Sequence, residues 1–522
     1  MDISSLLLTT MATPLVACLL IAVLPLKLPR VVFESIHVVS IALTFLMSLF
    51  IVVSVFQSGN SVEAMEAWFQ VDALGAIFLG LVGTVALLTG ICSVSYLRFD
   101  SKEGRLDVSQ VKRFYAFFSL FVFTMLLVVT SNNVIMMWVA IEATTLSTVF
   151  LVGSYNTKVS LEAAWKYLIV CTAGVAFGLY GTLLVYANAA DIMADPHQAV
   201  FWTSLVPYAT QFDATLLRIA FVFAAIGFGT KAGLFPMHTW MPDAYSQAPS
   251  PLSGLMSGAL AKCAMLVLIR FYVLAVQAVG SEFPQTVMLI LGAASIIFGA
   301  FALFSQSDFK RKLAYSSCEN IGIVALCLGF GGPLGIAAAL FHCIFHGLAK
   351  ALLFCLSGNV IMKFKTSNLQ KVVGIVQVAP LTAVLLGAGL FALSGFPPFA
   401  LFLSEVLTVI AGIYAGYLWL VIPICLALTV VIAAFSLVFL RSVLGGAPDF
   451  VKKGDVGAAM LIPEIALIAL LLWFGVALPA PVISGVGAAT AIVMQEDSSH
   501  LYEVPLLGKA LHAADTAAQP IE

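Results

Sequence analysis

The chain has 522 residues, of which 61% are hydrophobic and only 10% charged, with a mean hydropathy of +1.08. Soluble domains carry about 25% charged residues, so this composition indicates a polytopic membrane protein. A formal net charge of -2 and the lack of any Lys/Arg block leave no footprint for nucleic acid.

The start, Met1-Asp2-Ile3-Ser4-Ser5, lacks the basic n-region of a cleavable signal peptide, so the apolar run from Leu6 is read as the first spanning helix. A bilayer core needs about 20 apolar residues per helix. Windows of that size predict an all-α bundle of about 14 transmembrane helices: 6–26, 31–56, 73–96, 114–131, 133–153, 163–188, 215–235, 251–277, 285–305, 313–331, 333–361, 376–410, 416–440 and 456–478. No soluble domain fits between them. Lys27/Arg30, Arg98/Lys102/Arg105/Lys112/Arg113, Lys158, Lys310/Arg311/Lys312, Lys363/Lys365/Lys371 and Arg441/Lys452/Lys453 fall in alternate loops, while the intervening loops carry Glu63, Glu66, Asp72, Asp191, Asp195 and Asp213. Retention of cations on the cytoplasmic side then places both termini outside. The longest external loop, 191–213, offers Trp202 and Tyr208 to the interface. After Pro479 an apolar run to Met494 is too short to span easily, and the tail is expected to fold along the surface or remain mobile.

Two spans are interrupted. The seventh reads Gly229-Thr230-Lys231-Ala232-Gly233-Leu234-Phe235-Pro236 and the twelfth Ser394-Gly395-Phe396-Pro397-Pro398-Phe399. Proline removes a backbone donor and blocks the preceding turn, and in lipid such breaks survive only inside protein or beside a hydrated cavity. Paired breaks point to two inverted five-helix repeats with discontinuous helices 7 and 12. The predicted divisions are 1–100 (helices 1–3), 114–277 (helices 4–8), 285–440 (helices 9–13) and 456–522 (helix 14 and tail).

Ionisable residues interrupt the apolar runs at Glu142, Lys231, Lys262, Glu319, His342, His346, Lys350 and Glu405. Each costs at least about 2.5 kcal/mol near the bilayer centre, so a chain that carries several is expected to use them, as a relay for protons or ions. Lys231 is the expected partner of Glu142. Lys262 lies about 16 Å into its span, counted from Pro251, out of easy reach of either surface. His342, His346 and Lys350 repeat at i, i+4, i+8 and so share one helix face. Glu319 faces the same choice as Glu142, a protonated core residue or a relay member, and Glu405, just after the second break, is the expected last acceptor. His238 and Asp243 are read either as an entrance or as a polar turn, while Arg270, Arg218 and Glu464 look like structural or boundary charges. The His pair lacks a third metal ligand, the nine cysteines lie singly, and no Walker, metal or flavin fingerprint is present, so no cofactor or metal is expected.

The segment Lys231-Ala-Gly-Leu-Phe-Pro236-Met-His238-Thr-Trp240-Met-Pro242-Asp243-Ala244, followed by Ala248-Pro249-Ser250-Pro251 and Lys262, resembles the antiporter-like proton-pumping subunits of respiratory complex I, Mrp antiporters and group 4 hydrogenases. The resemblance covers roughly positions 70 to 440. It implies roles by position: Glu142 as the fifth-helix glutamate with Lys231 as its partner, Lys262 as the central lysine, His342/His346/Lys350 as the ladder and Glu405 as the exit. Glu405 departs from the L-type subunit, which has lysine there, and Glu319 from the M-type, where histidine is expected. Glu319-Asn320-Ile321-Gly322-Ile323 is similar to hydrogenase-type members, closest to hydrogenase-4 component F, with the complex I M-type as runner-up. The resemblance further implies a non-redox subunit in a bacterial cytoplasmic membrane, moving H+ (with Na+ as the alternative) beside other antiporter-like subunits and a nickel-iron hydrogenase-like or NADH dehydrogenase-like arm. A stand-alone Na+/H+ antiporter and a structural membrane anchor are the rival readings.

Overall fold

The computed structural model describes residues 2–448 and 451–496. Thirteen helices among these residues are long and apolar enough to cross a membrane. They are α1 (Ile3–Val23), α2 (Arg30–Ser58), α3 (Ala73–Lys102), α4 (Val108–Thr130), α5 (Val134–Val152), α6 (Lys158–Ala190), α7 (Ala214–Gln247), α8 (Ser250–Val279), α9 (Glu282–Ser305), α10 (Phe309–Phe330) and α11 (Gly332–Phe364), with α14 (Leu418–Val443) and α15 (Ala458–Val476). Between α11 and α14 two half-length helices, α12 (Pro380–Leu393) and α13 (Ala400–Tyr414), make up the discontinuous twelfth span. The fourteen predicted spans are thus all present. Among the described residues the one departure from an all-α fold is a small hairpin, β1 (Val62–Ala64) paired antiparallel with β2 (Phe69–Val71).

Cross-links between loops define two faces. On one, the hairpin bridges to Ser131 through Phe69, Asn133 bridges to Phe201, and Asp72 pairs with Arg270. On the other, Lys112 caps α1 by donating to the carbonyls of Ala22 (3.0 Å) and Leu24 (2.5 Å), Gln110 donates to the Ser154 carbonyl, and Lys365 pairs with Glu103. The second face collects the predicted cationic loops. Helix α4 starts from the cation-rich face and α9 from the hairpin face.

Lipid tails are as apolar as leucine, so packing of these helices depends on close fit rather than on burial from water. The helices α8, α10 and α11 form the centre, with 94% of their apolar windows buried against 33% for α1, α2 and α15. Gly299 brings α9 onto α10: a Cβ there would lie 2.7 Å from the Glu319 Cβ and 2.9 Å from its nitrogen. Removing that glycine's space would push Glu319 out of place.

Both breaks are built alike, with a glycine at positive φ (Gly233, 92°; Gly395, 65°) followed by a cis X-Pro bond, Phe235-Pro236 and Pro397-Pro398. Freed backbone groups find partners inside the protein: the Trp240 indole donates to the Thr230 carbonyl (2.9 Å), and the Phe235 N–H donates to Ser295 Oγ (2.9 Å). At the second break Phe396, Pro397 and Pro398 are exposed, while Ser394 and Phe399 on either side of them are buried.

The segment after Pro479 departs from the expected surface tail. Ala480–Met494 forms α16, which packs against α2, α3 and α11 through Ile483, Val486, Ala489, Thr490 and Val493, with Gly485 against Phe56. Small and apolar residues at three- and four-residue spacing give it a face that fits between helices. The rest of the predicted tail, beyond Glu496, lies outside the described residues.

Candidate functional site: a buried ionisable line

Lys231 is the last polar residue before the α7 break and is fully buried. Its amine donates to Thr145 Oγ1 (2.8 Å) and Tyr167 OH (2.7 Å) and lies over the Tyr167 ring at 4.8 Å. Glu142, half-buried on α5, accepts from Thr172 Oγ1 of α6 (2.8 Å) and from Thr145 Oγ1 (3.5 Å). The expected direct Glu142/Lys231 contact is therefore replaced by a bridge. Thr145 sits three residues after Glu142 on the same helical face and is shared by both charges.

Lys262, also fully buried, follows a π-helical stretch of α8, Met256–Leu260. That wider winding alters the backbone bonding, and the Lys262 amine takes the Ser257 carbonyl at 2.6 Å. Ser257 Oγ meets Ser317 Oγ of α10 at 2.8 Å. The Lys350 amine donates to the Leu313 carbonyl (2.7 Å) and to Ser316 Oγ, one turn from Glu319, which accepts from the Asn320 amide.

The histidine ladder joins these groups to the second break. His342 Nε2 pairs with Asn320 Oδ1 (3.1 Å) and Nδ1 with Ser404 Oγ (3.0 Å), while the His342 and His346 rings stack with centroids 5.8 Å apart. Since Asn320 Oδ1 can only accept, Nε2 carries a proton and Nδ1 of the neutral ring accepts from Ser404. Ser404 has an alternative acceptor in the Leu401 carbonyl at 2.9 Å, so its hydroxyl can turn away when Nδ1 gains a proton. Glu405 follows Ser404, and its carboxyl packs against Gly395, whose missing side chain makes the room. Within the expected ladder the bonds part: His342 leads to Ser404 beside Glu405, whereas Lys350 bonds to α10.

A file of hydroxyls lies between Lys262 and the cation-rich face. Ser250, Ser253 and Ser257 are fully buried on one side of α8 at i, i+3, i+7. Ser250 accepts from Ser357 Oγ (3.2 Å), and both Ser250 and Tyr96 pack on Gly358. Tyr155 OH then reaches Tyr96 OH (3.3 Å) and Asp100 Oδ2 (2.6 Å), and Asp100 pairs with Arg105 at 3.3 Å.

Asp243 lies in a polar cluster with Arg311 (3.0 Å) and Lys166 (3.3 Å), and His238 is held among the rings of Phe235, Phe298 and Tyr315. Arg270 is structural, forming two 2.7 Å bonds to Asp72 and lying 4.2 Å over Trp202, and Arg218 stacks on Phe283. Glu464 is no boundary charge: α15 carries it into the core, fully buried, where it accepts from the Asn359 amide at 2.8 Å. Among the described residues no group of three or more His, Cys, Asp or Glu is placed to hold a metal ion.

Sequence reasoning missed the neutral partners: Thr145, Tyr167, Thr172, Ser257, Ser316, Ser317, Asn320 and Ser404. Their one signal was spacing, since Thr145, Ser316, Asn320 and Ser404 lie within one turn of a carboxyl or amine.

Residues 131–432 match the family described as NADH:quinone oxidoreductase/Mrp antiporter, TM. A Hydrogenase-4 component F homolog of Methylacidiphilum infernorum (isolate V4) is 34% identical over 372 residues, covering 71% of this chain and 78% of that protein. NADH-quinone oxidoreductase subunit N of Desulforudis audaxviator (strain MP104C) is 30% identical over 367 residues, 70% of each. Among solved structures, a chain of the membrane-bound sulfane sulfur reductase, an archaeal respiratory membrane complex, superposes with a TM-score of 0.83 at 22% identity, over 97% of this chain and 99% of that one.

Proposed function

Because the chain belongs to the NADH:quinone oxidoreductase/Mrp antiporter membrane family, we propose that it is the proton-translocating membrane subunit of a redox-driven complex, with no redox chemistry of its own. The observation that carries this reading is the alignment of two bonded segments between Lys262 and the second break, Lys262–Ser257–Ser317 and Asn320–His342–Ser404, with His346 stacked on His342 and Glu405 next in sequence to Ser404. In this reading 114–277 and 285–440 are the two inverted units, 1–100 and the segment from 456 flank them, and the cation-rich face is cytoplasmic, which puts both termini outside.

Protons enter along Asp100, Tyr155, Tyr96 and the serine file of α8 to reach Lys262. Movement of the Lys231 amine between Tyr167 and the Thr145/Glu142 side changes the field at Lys262. The proton passes to His346, whose two ring nitrogens have no protein partner among the described residues and so depend on water, as a buried imidazole must. From there it goes to His342, and rotation of Ser404 hands it to Glu405 at the break. Lys350 and Glu319 form a side branch that sets the charge around His342. One charge moved against 100 mV takes about 2.3 kcal/mol, so a driving partner is required.

The finer assignment is to a hydrogenase-4-type complex. It is supported by the 34% identity to a component F homolog and by Glu319-Asn320 in α10, whose amide couples the carboxyl to His342. Other antiporter-like subunits and a peripheral redox arm are the partners. In vesicles holding the intact complex, Lys262→Ala is expected to abolish proton uptake while the redox half-reaction and subunit composition persist. Normal pumping by that variant would leave the chain a structural anchor. A co-purifying nickel-iron subunit supports the hydrogenase-4 assignment, and an NADH-oxidising module would replace it with complex I.

A further inference from the structure

Two apolar clefts open on the cation-rich end of α4, one on each side of the same two residues. The larger, about 410 Å³, lies between α4, α5 and α6 against Phe114, Phe150, Leu161, Trp165 and Leu168. The smaller, about 260 Å³, lies between α1 and α4 against Cys18, Ala22, Leu26 and Ala116. Arg113 and Phe117 line both.

Arg113 is exposed and has no ion pair or side-chain hydrogen bond among the described residues. Four other arginines on this face differ: Arg30 and Arg98 share Glu34, Arg105 holds Asp100 and Arg311 holds Asp243. The nearby Lys112 is committed to carbonyls at the end of α1, and Asp107 to the cap of α4. The Arg113 guanidinium therefore stands unpaired at the head of two apolar slots divided by Phe117, with exposed Trp165 at the rim of the larger one suited to the membrane interface. Arginine recognises phosphate by paired N–H donation.

We propose that this site binds an anionic diacyl phospholipid, its phosphate on Arg113 and its two acyl chains straddling Phe117. The charge selects an anion, and the paired slots select two chains rather than one helix or a free phosphate. The chain in the larger slot ends at Leu168, one turn from Thr172, the donor to Glu142. A bound lipid would thus cover the half-exposed side of Glu142 and keep water from it.

The test is native mass spectrometry of the purified, delipidated complex after addition of phosphatidylglycerol or phosphatidylcholine. The expected result is retention of phosphatidylglycerol over phosphatidylcholine, lowered about fivefold by Arg113→Gln, the scale of one basic side chain at an anionic surface. Leu161→Trp, which fills the larger slot, should lower retention with the arginine intact. Equal retention of both lipids, or unchanged retention in both variants, would overturn the site, as would a subunit of the complex found cross-linked to a Phe150 photoprobe in place of lipid. Retention is read without pumping, so its failure would leave the relay untouched, and failure of the relay would leave the lipid site standing.

Discussion

Two of the places where this protein holds strong charge away from solvent are built on opposite plans. At the hairpin face, Asp72 and Arg270 satisfy each other: both carboxylate oxygens take a guanidinium N–H at 2.7 Å, Asp72 also caps α3 through the Gly75 N–H, and Trp202 covers the arginine. At the centre, Lys231, Lys262 and Lys350 bond to hydroxyls and carbonyls, and no carboxylate lies within ion-pair distance of them among the described residues. A saturated pair has nowhere to send a proton and can only hold helices together. Amines held by neutral groups keep their protons exchangeable, at a cost that the packed centre sustains.

The sharpest way to break this comparison is Arg270→Ala, which leaves the largely covered Asp72 without its cation. Loss of one partner from such a pair costs about 3–5 kcal/mol, so the variant should be nearly absent from membranes by immunoblot, whereas Lys262→Ala should accumulate normally. Equal abundance of the two would show that the clamp is dispensable. Next in size, Thr145→Val removes the bridge between Lys231 and Glu142. A hydrogen bond to a charged group contributes about 1.5–3 kcal/mol, so pumping rate in vesicles should fall about tenfold or more with the fold intact; a rate near wild type would mean the two charges couple directly.

A pH effect separates the regions as well. Burial alone would raise the Asp72 carboxyl, and the Arg270 charge and hydrogen bonds more than offset it, holding it below its usual range. A lowered carboxyl contributes stability above its unfolded value and loses it as pH falls through the folded one. Thermal unfolding in detergent should therefore shift downward on acidification into the low carboxylate range, and Asp72→Asn should remove that part of the shift. The smaller effects lie at the entrance. Tyr155→Phe should slow uptake about fivefold, the scale of one hydrogen bond, whereas Asp243→Asn should leave the rate within about twofold, since its pairs with Arg311 and Lys166 are exposed. The reverse order would return the entrance to the His238/Asp243 turn.

Several features were legible in the sequence because lipid imposes them. Apolar length fixed the fourteen spans, cation-rich loops alternated with acidic ones, and Gly and Pro marked both breaks, since backbone groups in a bilayer must be satisfied locally. The ionisable residues stood out against their surroundings, and the i, i+4 spacing put His342 and His346 in the stack that the structure contains. What the one-dimensional pattern could not carry was the identity of cross-helix neighbours. Thr145 standing between Glu142 and Lys231, Ser404 rather than Lys350 leading from His342 toward Glu405, Glu464 inside the core and α16 wedged against α2, α3 and α11 all depend on which helices touch. Serine and threonine are common in membrane helices and carry no charge to betray a role, so their part was decided only when tertiary packing brought them within hydrogen-bond reach.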